Sequence, residues 1–160
     1  MPVIELKTII RAPIERCFLL SLSVDLHKLS TAGTYEQAIA GITSGIMKMG
    51  DTVTWRAKHF GIYQVLTTKI SAYQMPNYFI SEMVKGAFKK IHHQHIFHPY
   101  GNGTAMTDLF DFECPFGVVG RVAEKLFLKK YMTKFLAIRN QTIKNVAEGE
   151  AWKELLSQNR

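Results

Sequence analysis

Hydrophobic and polar residues alternate along much of the chain up to residue 114, and this alternation predicts β-strands. Between residues 3 and 11, one side is mainly apolar and the other carries Glu5, Lys7 and Arg11, which is typical of a half-buried strand. The same period recurs weakly at 34–41 and then repeatedly, at 52–59, 62–70, 77–85, 87–98 and 104–114. The pattern therefore predicts a sheet built largely from consecutive strands.

Turn residues divide these segments. Phe60-Gly61 and Asn102-Gly103 are pairs that favour tight hairpin turns, and the first turn would bring Leu66 opposite Trp55. Pro115 and Gly117 then end the sheet.

Helical periodicity appears in two places. Pro13 suits the first turn of a helix, and the segments 14–23 and 24–30 predict two short helices after the first strand. Residues 118–148 predict one long amphipathic helix, roughly 45 Å long at the usual rise per residue. Its expected apolar stripe consists of Val119, Val122, Leu126, Tyr131, Phe135, Ile138, Thr142 and Val146.

These elements predict an α+β fold in which a curved antiparallel sheet wraps around the long helix. With 160 residues and no linker, repeat or low-complexity segment, we expect a single domain spanning 1–160. A curved sheet around one helix rarely closes its core completely, so the arrangement favours a cavity between the helix and the concave face.

The net charge of +7 raises the question of a nucleic-acid partner. The basic excess recurs at helical spacing in the last third of the chain, at Arg121, Lys125, Lys129, Lys130, Lys134, Arg139 and Lys144. A solvated helix face explains this spacing without a partner, so we expect no nucleic-acid role. We find no signal peptide and no membrane-spanning run. Cys17 and Cys114 form no metal-binding spacing, and we interpret both as buried thiols in a cytoplasmic protein.

Four histidines lie within residues 92–98, and strand alternation divides them. With the predicted loop at 100–102, Phe97 pairs with Thr104, His95 with Met106, His93 with Asp108 and Ile91 with Phe110. The mainly apolar face carries His93, His95 and Asp108 inward, while His92 and His98 face solvent. An inward carboxylate is costly unless it is paired, so we expect a His93–Asp108 pair.

Three interpretations of this pair remain open: a structural pair in the core, the polar end of a ligand pocket, and a chemical or metal site. Two imidazoles on one strand face are compatible with zinc, with Asp108 or His59 as a third ligand. Two firmly placed imidazoles do not make a site, so we predict no metal. The sequence also lacks the P-loop, dinucleotide-binding and serine-hydrolase motifs, and we assign no catalytic residue and no cofactor.

An ordered series of motifs resembles the SRPBCC superfamily of helix-grip proteins, which includes START-like lipid-transfer domains, birch-pollen-allergen-type proteins and polyketide cyclases. The series is H-x-H-x-F, G-T-x-M-x-D and P-x-G, carried by His93, His95, Phe97, Gly103, Thr104, Met106, Asp108, Pro115 and Gly117. The resemblance covers about residues 3–148. It implies a seven-stranded sheet that grips the last helix around a hydrophobic ligand, but no single activity.

We therefore expect a lipid- or polyketide-like small molecule to bind between the long helix and the sheet. The predicted lining residues are Trp55, Leu66, Phe79, His93, His95, Met106, Asp108, Phe110, Tyr131 and Phe135. Two alternatives are a cyclase or dehydratase that uses the His–Asp cluster and a basic interaction surface without a ligand. The sequence leaves the ligand and the oligomeric state open.

Overall fold

The computed structural model describes residues 3–157, so both ends of the predicted domain, residues 1–2 and 158–160, lie outside the described residues. The strands are β1 Val3–Ile10, β2 Gln37–Gly41, β3 Thr52–His59, β4 Ile62–Gln74, β5 Tyr78–Lys85, β6 Lys90–Tyr100 and β7 Gly103–Glu113. The α-helices are α1 Ile14–Ser21, α2 Val24–Ser30, α3 Gly117–Ala123, α4 Lys129–Glu148 and α5 Ala151–Ser157.

All seven strands form one antiparallel sheet in the order β1-β7-β6-β5-β4-β3-β2. Because β1 and β2 lie at opposite edges, α1 and α2 carry the chain from one edge to the other. The strands from β2 to β7 then follow as hairpins. The predicted α+β fold with two short helices after the first strand is confirmed.

The β3–β4 hairpin has the predicted register. Phe60 and Gly61 form its turn, both with positive φ, and Trp55 pairs with Leu66. A left-handed backbone at both central residues matches the twist of the strands they connect.

The β6–β7 hairpin differs from the predicted register by two residues. Phe97 pairs with Met106, His95 with Asp108, His93 with Phe110 and Ile91 with Phe112. The turn lies one residue later than the predicted pairs imply. Tyr100 pairs with Gly103, so Gly101 and Asn102 form the turn and not Asn102-Gly103, and Gly101 adopts the positive φ that this tight turn requires. Because side chains alternate with a period of two, the shift leaves the inward face unchanged.

The long helix runs without interruption from Gly117 to Glu148, close to the predicted 118–148. A π-helical turn, Glu124–Leu128, joins α3 to α4. The predicted apolar stripe is wrong for Val119, Val122, Leu126 and Ile138, which are at least half exposed, whereas its other four residues are partly buried. The wide π turn breaks the uniform helical period on which that stripe relied. The face of α4 that is buried carries Leu136, Arg139, Asn140, Ile143 and Ala147.

The core is apolar on either side of the cavity described below. On one side, Phe18 of α1 packs edge-on against Phe79 and Phe97, each with ring centroids 5.5 Å away. On the other side, Ile4, Ile91, Phe110 and Phe112 pack with Leu136. Both cysteines are free. Cys17 is buried as predicted, whereas Cys114 is partly exposed.

Over residues 3–157, no helix combines the length and the hydropathy needed to cross a membrane.

Candidate functional site

A cavity of about 440 Å³ lies between the long helix and the inward face of the sheet. Side chains from β3 to β7, from α2 and from the long helix line it, and most of this wall is apolar. Phe60, Phe116 and Val119 line the cavity and are also largely exposed, so they mark its open side.

Most of the predicted lining residues contribute to this wall. They are Trp55, Leu66, Phe79, His93, His95, Phe110, Tyr131 and Phe135. Met106 and Asp108 do not belong to it, which corrects the prediction for these two residues. Both point inward but are fully buried. Met106 lies in the core beside the Ser21 hydroxyl, and side chains from β6 and α4 surround Asp108.

Asp108 is the centre of a buried polar cluster at one end of the cavity. Nε2 of His93 donates to its Oδ1 over 2.8 Å, and Nδ2 of Asn140 donates to its Oδ2 over 2.6 Å. A guanidinium nitrogen of Arg139 lies 3.4 Å from Oδ1. The expected His93–Asp108 pair is therefore present, although Asp108 lies directly opposite His95 in the sheet.

Nδ1 of His95 lies between the two charged groups. It is 3.2 Å from Oδ1 of Asp108 and 3.4 Å from a guanidinium nitrogen of Arg139. It can donate to the carboxylate or accept from the guanidinium, depending on the tautomer. The His95 ring also stacks on Phe79, with centroids 4.1 Å apart, and lies beside the His93 ring at 3.7 Å.

The environment fixes the charges of this cluster. Burial alone would raise the pKa of Asp108, but hydrogen bonds to His93 and His95 hold it well below its ordinary value. Burial lowers the pKa of His93. It lowers the pKa of His95 further, with a contribution from the neighbouring His93. Burial also lowers the pKa of Arg139 while Asp108 raises it, and a guanidinium stays charged in proteins. At neutral pH the cluster therefore holds one carboxylate, one guanidinium and two neutral imidazoles.

One group of side chains in residues 3–157 could hold a metal ion, and it belongs to the same cluster. His93, His95 and Asp108 each offer a ligand atom, and these atoms lie within 4.8 Å of one another. His59 is not part of this group, since its Nδ1 lies 2.6 Å from the Tyr131 hydroxyl. Arg139 already provides a positive charge beside the carboxylate. The expected absence of zinc stays a prediction.

A second polar pair, His27 and Glu36, also lines the cavity. Nε2 of His27 lies 2.7 Å from Oε1 of Glu36, whose side chain is 6% exposed, and the His27 ring contacts Trp55. No pattern in the sequence connects His27 with Glu36, because α2 and the segment before β2 have no shared period.

Arg139 and Asn140 were also missed, although a signal for them existed. Leu136, Ile143 and Ala147 recur at helical spacing with these two residues between them. That spacing places Arg139 and Asn140 on the buried face, and the prediction that Arg139 belongs to a solvated basic face is wrong.

No family model matches the chain, and no curated protein matches it either. Solved structures are similar to it in fold. A Thermus thermophilus protein superposes with a TM-score of 0.73 at 17% identity, over 90% of this chain and 95% of that one. The major latex-like protein 151 of Panax ginseng gives 0.67 at 17% identity, over 92% and 98%.

A START superfamily protein of Mycobacterium smegmatis gives a TM-score of 0.67 at 14% identity, over 91% of this chain and 97% of that chain. At these identities the likeness establishes the fold alone. The chain has the helix-grip fold of START and major latex-like proteins, which confirms the SRPBCC resemblance at the level of fold.

Proposed function

We propose that this protein binds a hydrophobic or amphipathic small molecule, lipid-like or polyketide-like, in the cavity between the long helix and the sheet. The observation that carries the proposal is the cavity itself, about 440 Å³ with a mostly apolar wall and the Asp108 cluster at one end. Ligand pockets have volumes of this order and combine apolar walls with a few polar groups that orient the ligand.

The lining residues suggest how such a ligand would lie. Trp55, Leu66, Phe79 and Phe110 on the sheet, with Tyr131 and Phe135 on the helix, would contact its apolar body. His93 and His95 would contact its polar end. Asp108 would act through these histidines, and Met106 through the core packing behind the wall. Both thiols are free, which fits a reducing compartment, and we propose the cytoplasm as the place of binding.

One observation favours a second candidate, an enzyme of the cyclase or dehydratase type. The hydrogen bond from His93 to Asp108 is the contact that orients an imidazole as a general base. Turnover of a bound molecule would separate this candidate from pure binding, and both need the same cavity.

The proposal can be tested with one substitution made at two places on the long helix. Ala123 lines the cavity, whereas Ala137 is exposed on the same helix. We expect Ala123→Trp to fill the cavity and weaken binding of the neutral dye Nile red by about tenfold or more, since one excluded contact group is worth a factor of that order. Ala137→Trp should leave it unchanged.

Native mass spectrometry of the freshly purified protein provides a second test of the proposed binding. A co-purified molecule that is present in the wild type and in Ala137→Trp, and lost in Ala123→Trp, would identify the ligand. Equal dye affinity in the two variants, or no dye binding by the wild type, would contradict the proposal.

A further inference from the structure

The hydrogen bond between His93 and Asp108 fixes the tautomer of His93. An ionised carboxylate can only accept hydrogen bonds, and the hydrogen bonds to His93 and His95 keep Asp108 ionised. Nε2 of His93, 2.8 Å from Oδ1 of Asp108, must therefore carry the proton. The neutral ring then has a lone pair on Nδ1, which makes that atom a hydrogen-bond acceptor.

Nδ1 of His93 has no donor among residues 3–157, since the one side-chain hydrogen bond of the ring runs from Nε2 to Asp108. The residue is 8% exposed, and it lines the cavity. Among the described residues, only Oδ1 of Asp111 is fully enclosed without a hydrogen-bond partner. Nδ1 of His93 is therefore accessible, and a molecule in the cavity can donate a hydrogen bond to it.

Arg139 offers the complementary group at the same end of the cavity. It lines the wall and is 5% exposed. Its hydrogen bond to Asn140 has an ordinary length of 3.1 Å. Its contacts with Asp108, His95 and the Ser21 carbonyl are long, at 3.4–3.5 Å. A guanidinium has five N–H donors, so Arg139 can also donate to a ligand.

The four common polar ends of an apolar ligand differ in how they fit these groups. A carboxylate can accept from Arg139, but it has no hydrogen to donate to His93 and the negative charge of Asp108 repels it. An ether or a ketone also only accepts. A hydroxyl both donates and accepts, and it can satisfy His93 and Arg139 together.

From this complementarity we propose that the cavity selects an alcohol or a phenol on an apolar skeleton, and that the hydroxyl donates its hydrogen bond to Nδ1 of His93. The inference rests on the proposed function, because it names the chemical class that the same cavity binds. Asp108 is a positioning residue in this assignment: it fixes the His93 tautomer without touching the ligand.

Three fluorescent probes with one skeleton test it: 1-hydroxypyrene, 1-methoxypyrene and 1-pyrenecarboxylate, titrated at pH 7. The wild type should bind the hydroxyl probe about tenfold more tightly than the methoxy probe, which is the factor expected for one hydrogen bond. The carboxylate should bind more weakly than the hydroxyl probe. Equal affinity for the hydroxyl and methoxy probes, or tightest binding of the carboxylate, would overturn the inference while leaving the proposed function intact.

Variants of His93 and Asp108 test whether His93 causes the preference for the hydroxyl probe over the methoxy probe. His93→Phe keeps a ring and removes the acceptor, so the ratio of the two affinities should fall to about one. Asp108→Asn can present an N–H to the ring and release the tautomer, so it should lower the same ratio. His98→Phe, at an exposed histidine of the same strand outside the cavity wall, is the control and should keep it. A ratio that survives both His93→Phe and Asp108→Asn would contradict the assignment. Failure of all three probes and of Nile red to bind the wild type would count against the proposed function and this inference together.

Discussion

The two halves of the long helix, residues 117–128 and 129–148, differ in how much of their side-chain surface is buried. Of residues 117–128, Gly120 and Glu124 are the buried ones, while Val118, Val119, Val122, Leu126 and Phe127 are exposed. Residues 129–148 instead bury Leu136, Arg139, Asn140, Ile143 and Ala147. The more apolar half is thus the less buried, and its one inward charged side chain, Glu124, accepts a hydrogen bond from the backbone N–H of Cys114. The second half buries more residues, and it is the half anchored to the Asp108 cluster.

This difference indicates which contacts hold the helix against the sheet. The second half meets a partner for each of its buried polar side chains, since Arg139 and Asn140 both reach Asp108. The first half spans the open side of the cavity, where Val119 and Ala123 form part of its wall. Burial follows from complementary groups on the sheet, and hydropathy alone does not predict it.

The largest expected effect comes from removing the group that anchors the second half. Asp108→Ala leaves Arg139 as a buried charge without its partner, so the free energy of unfolding should fall by about 3–5 kcal/mol. Asp111→Ala is the control on the same strand: its carboxylate is partly exposed and lies 3.7 Å from Lys90, and its loss should cost less than about 1 kcal/mol. Denaturant midpoints measure both. A small cost for Asp108→Ala would show that water in the cavity hydrates the cluster.

A second pair of substitutions compares the halves through their apolar side chains. Ile143 is fully buried, whereas Leu126 is 63% exposed. Ile143→Ala should cost about 2–5 kcal/mol because it leaves a cavity in the core, and Leu126→Ala should change stability by about 0.5 kcal/mol or less. Similar costs at the two positions would mean that the first half is packed against another surface in solution.

More of the fold than of the candidate site could be predicted from the sequence. Alternation identified the inward face of β6 and β7, including His93, His95 and Asp108, because a strand has a fixed period of two. It could not give the β6–β7 register, which depends on which residues between Tyr100 and Gly103 form the turn. Hairpin register is set by such local turn geometry.

Arg139 could not be assigned by residue type, because charged residues are almost never buried unless they are paired. Its partner Asp108 lies 31 residues away, and only the register of the helix against the sheet brings the two together. The His27–Glu36 contact was beyond prediction for the same reason. The candidate site thus depends on tertiary contacts, whereas the fold depends on local periodicity.

The buried cluster of His93, His95 and Asp108, which anchors the second half of the helix, should also make the free energy of unfolding depend on pH. The folded-state pKa values of His93 and His95 lie below the ordinary value of 6.5. Just below pH 6.5, these two side chains therefore bind more protons in the unfolded chain than in the folded protein. Stability should therefore fall as the pH drops from 7 towards 5, by at most about 1.4 kcal/mol per pH unit for each histidine. The depressed pKa of Asp108 adds a further loss only in stronger acid.

Denaturant midpoints across this range measure that slope. His93→Phe and His95→Phe should each reduce it, while His98→Ala, at an exposed position, should not. If the denaturant midpoint of the wild type did not change between pH 7 and pH 5, the two imidazoles would have the same pKa in the folded and unfolded states, contrary to this prediction.

The smallest effect is expected from zinc, and the reason again lies in the second half of the helix. His93, His95 and Asp108 could offer three ligand atoms, but the Arg139 guanidinium lies 3.4 Å from both Asp108 and His95 and would repel a divalent cation. Adding zinc to the wild type should leave the denaturant midpoint unchanged. Arg139→Met removes the charge at similar length, and zinc should then stabilise the variant by about 2.7 kcal/mol at a hundred times its dissociation constant. About one zinc per wild-type chain, lost on His95→Ala, would show that the guanidinium can be displaced and that the cluster is a metal site.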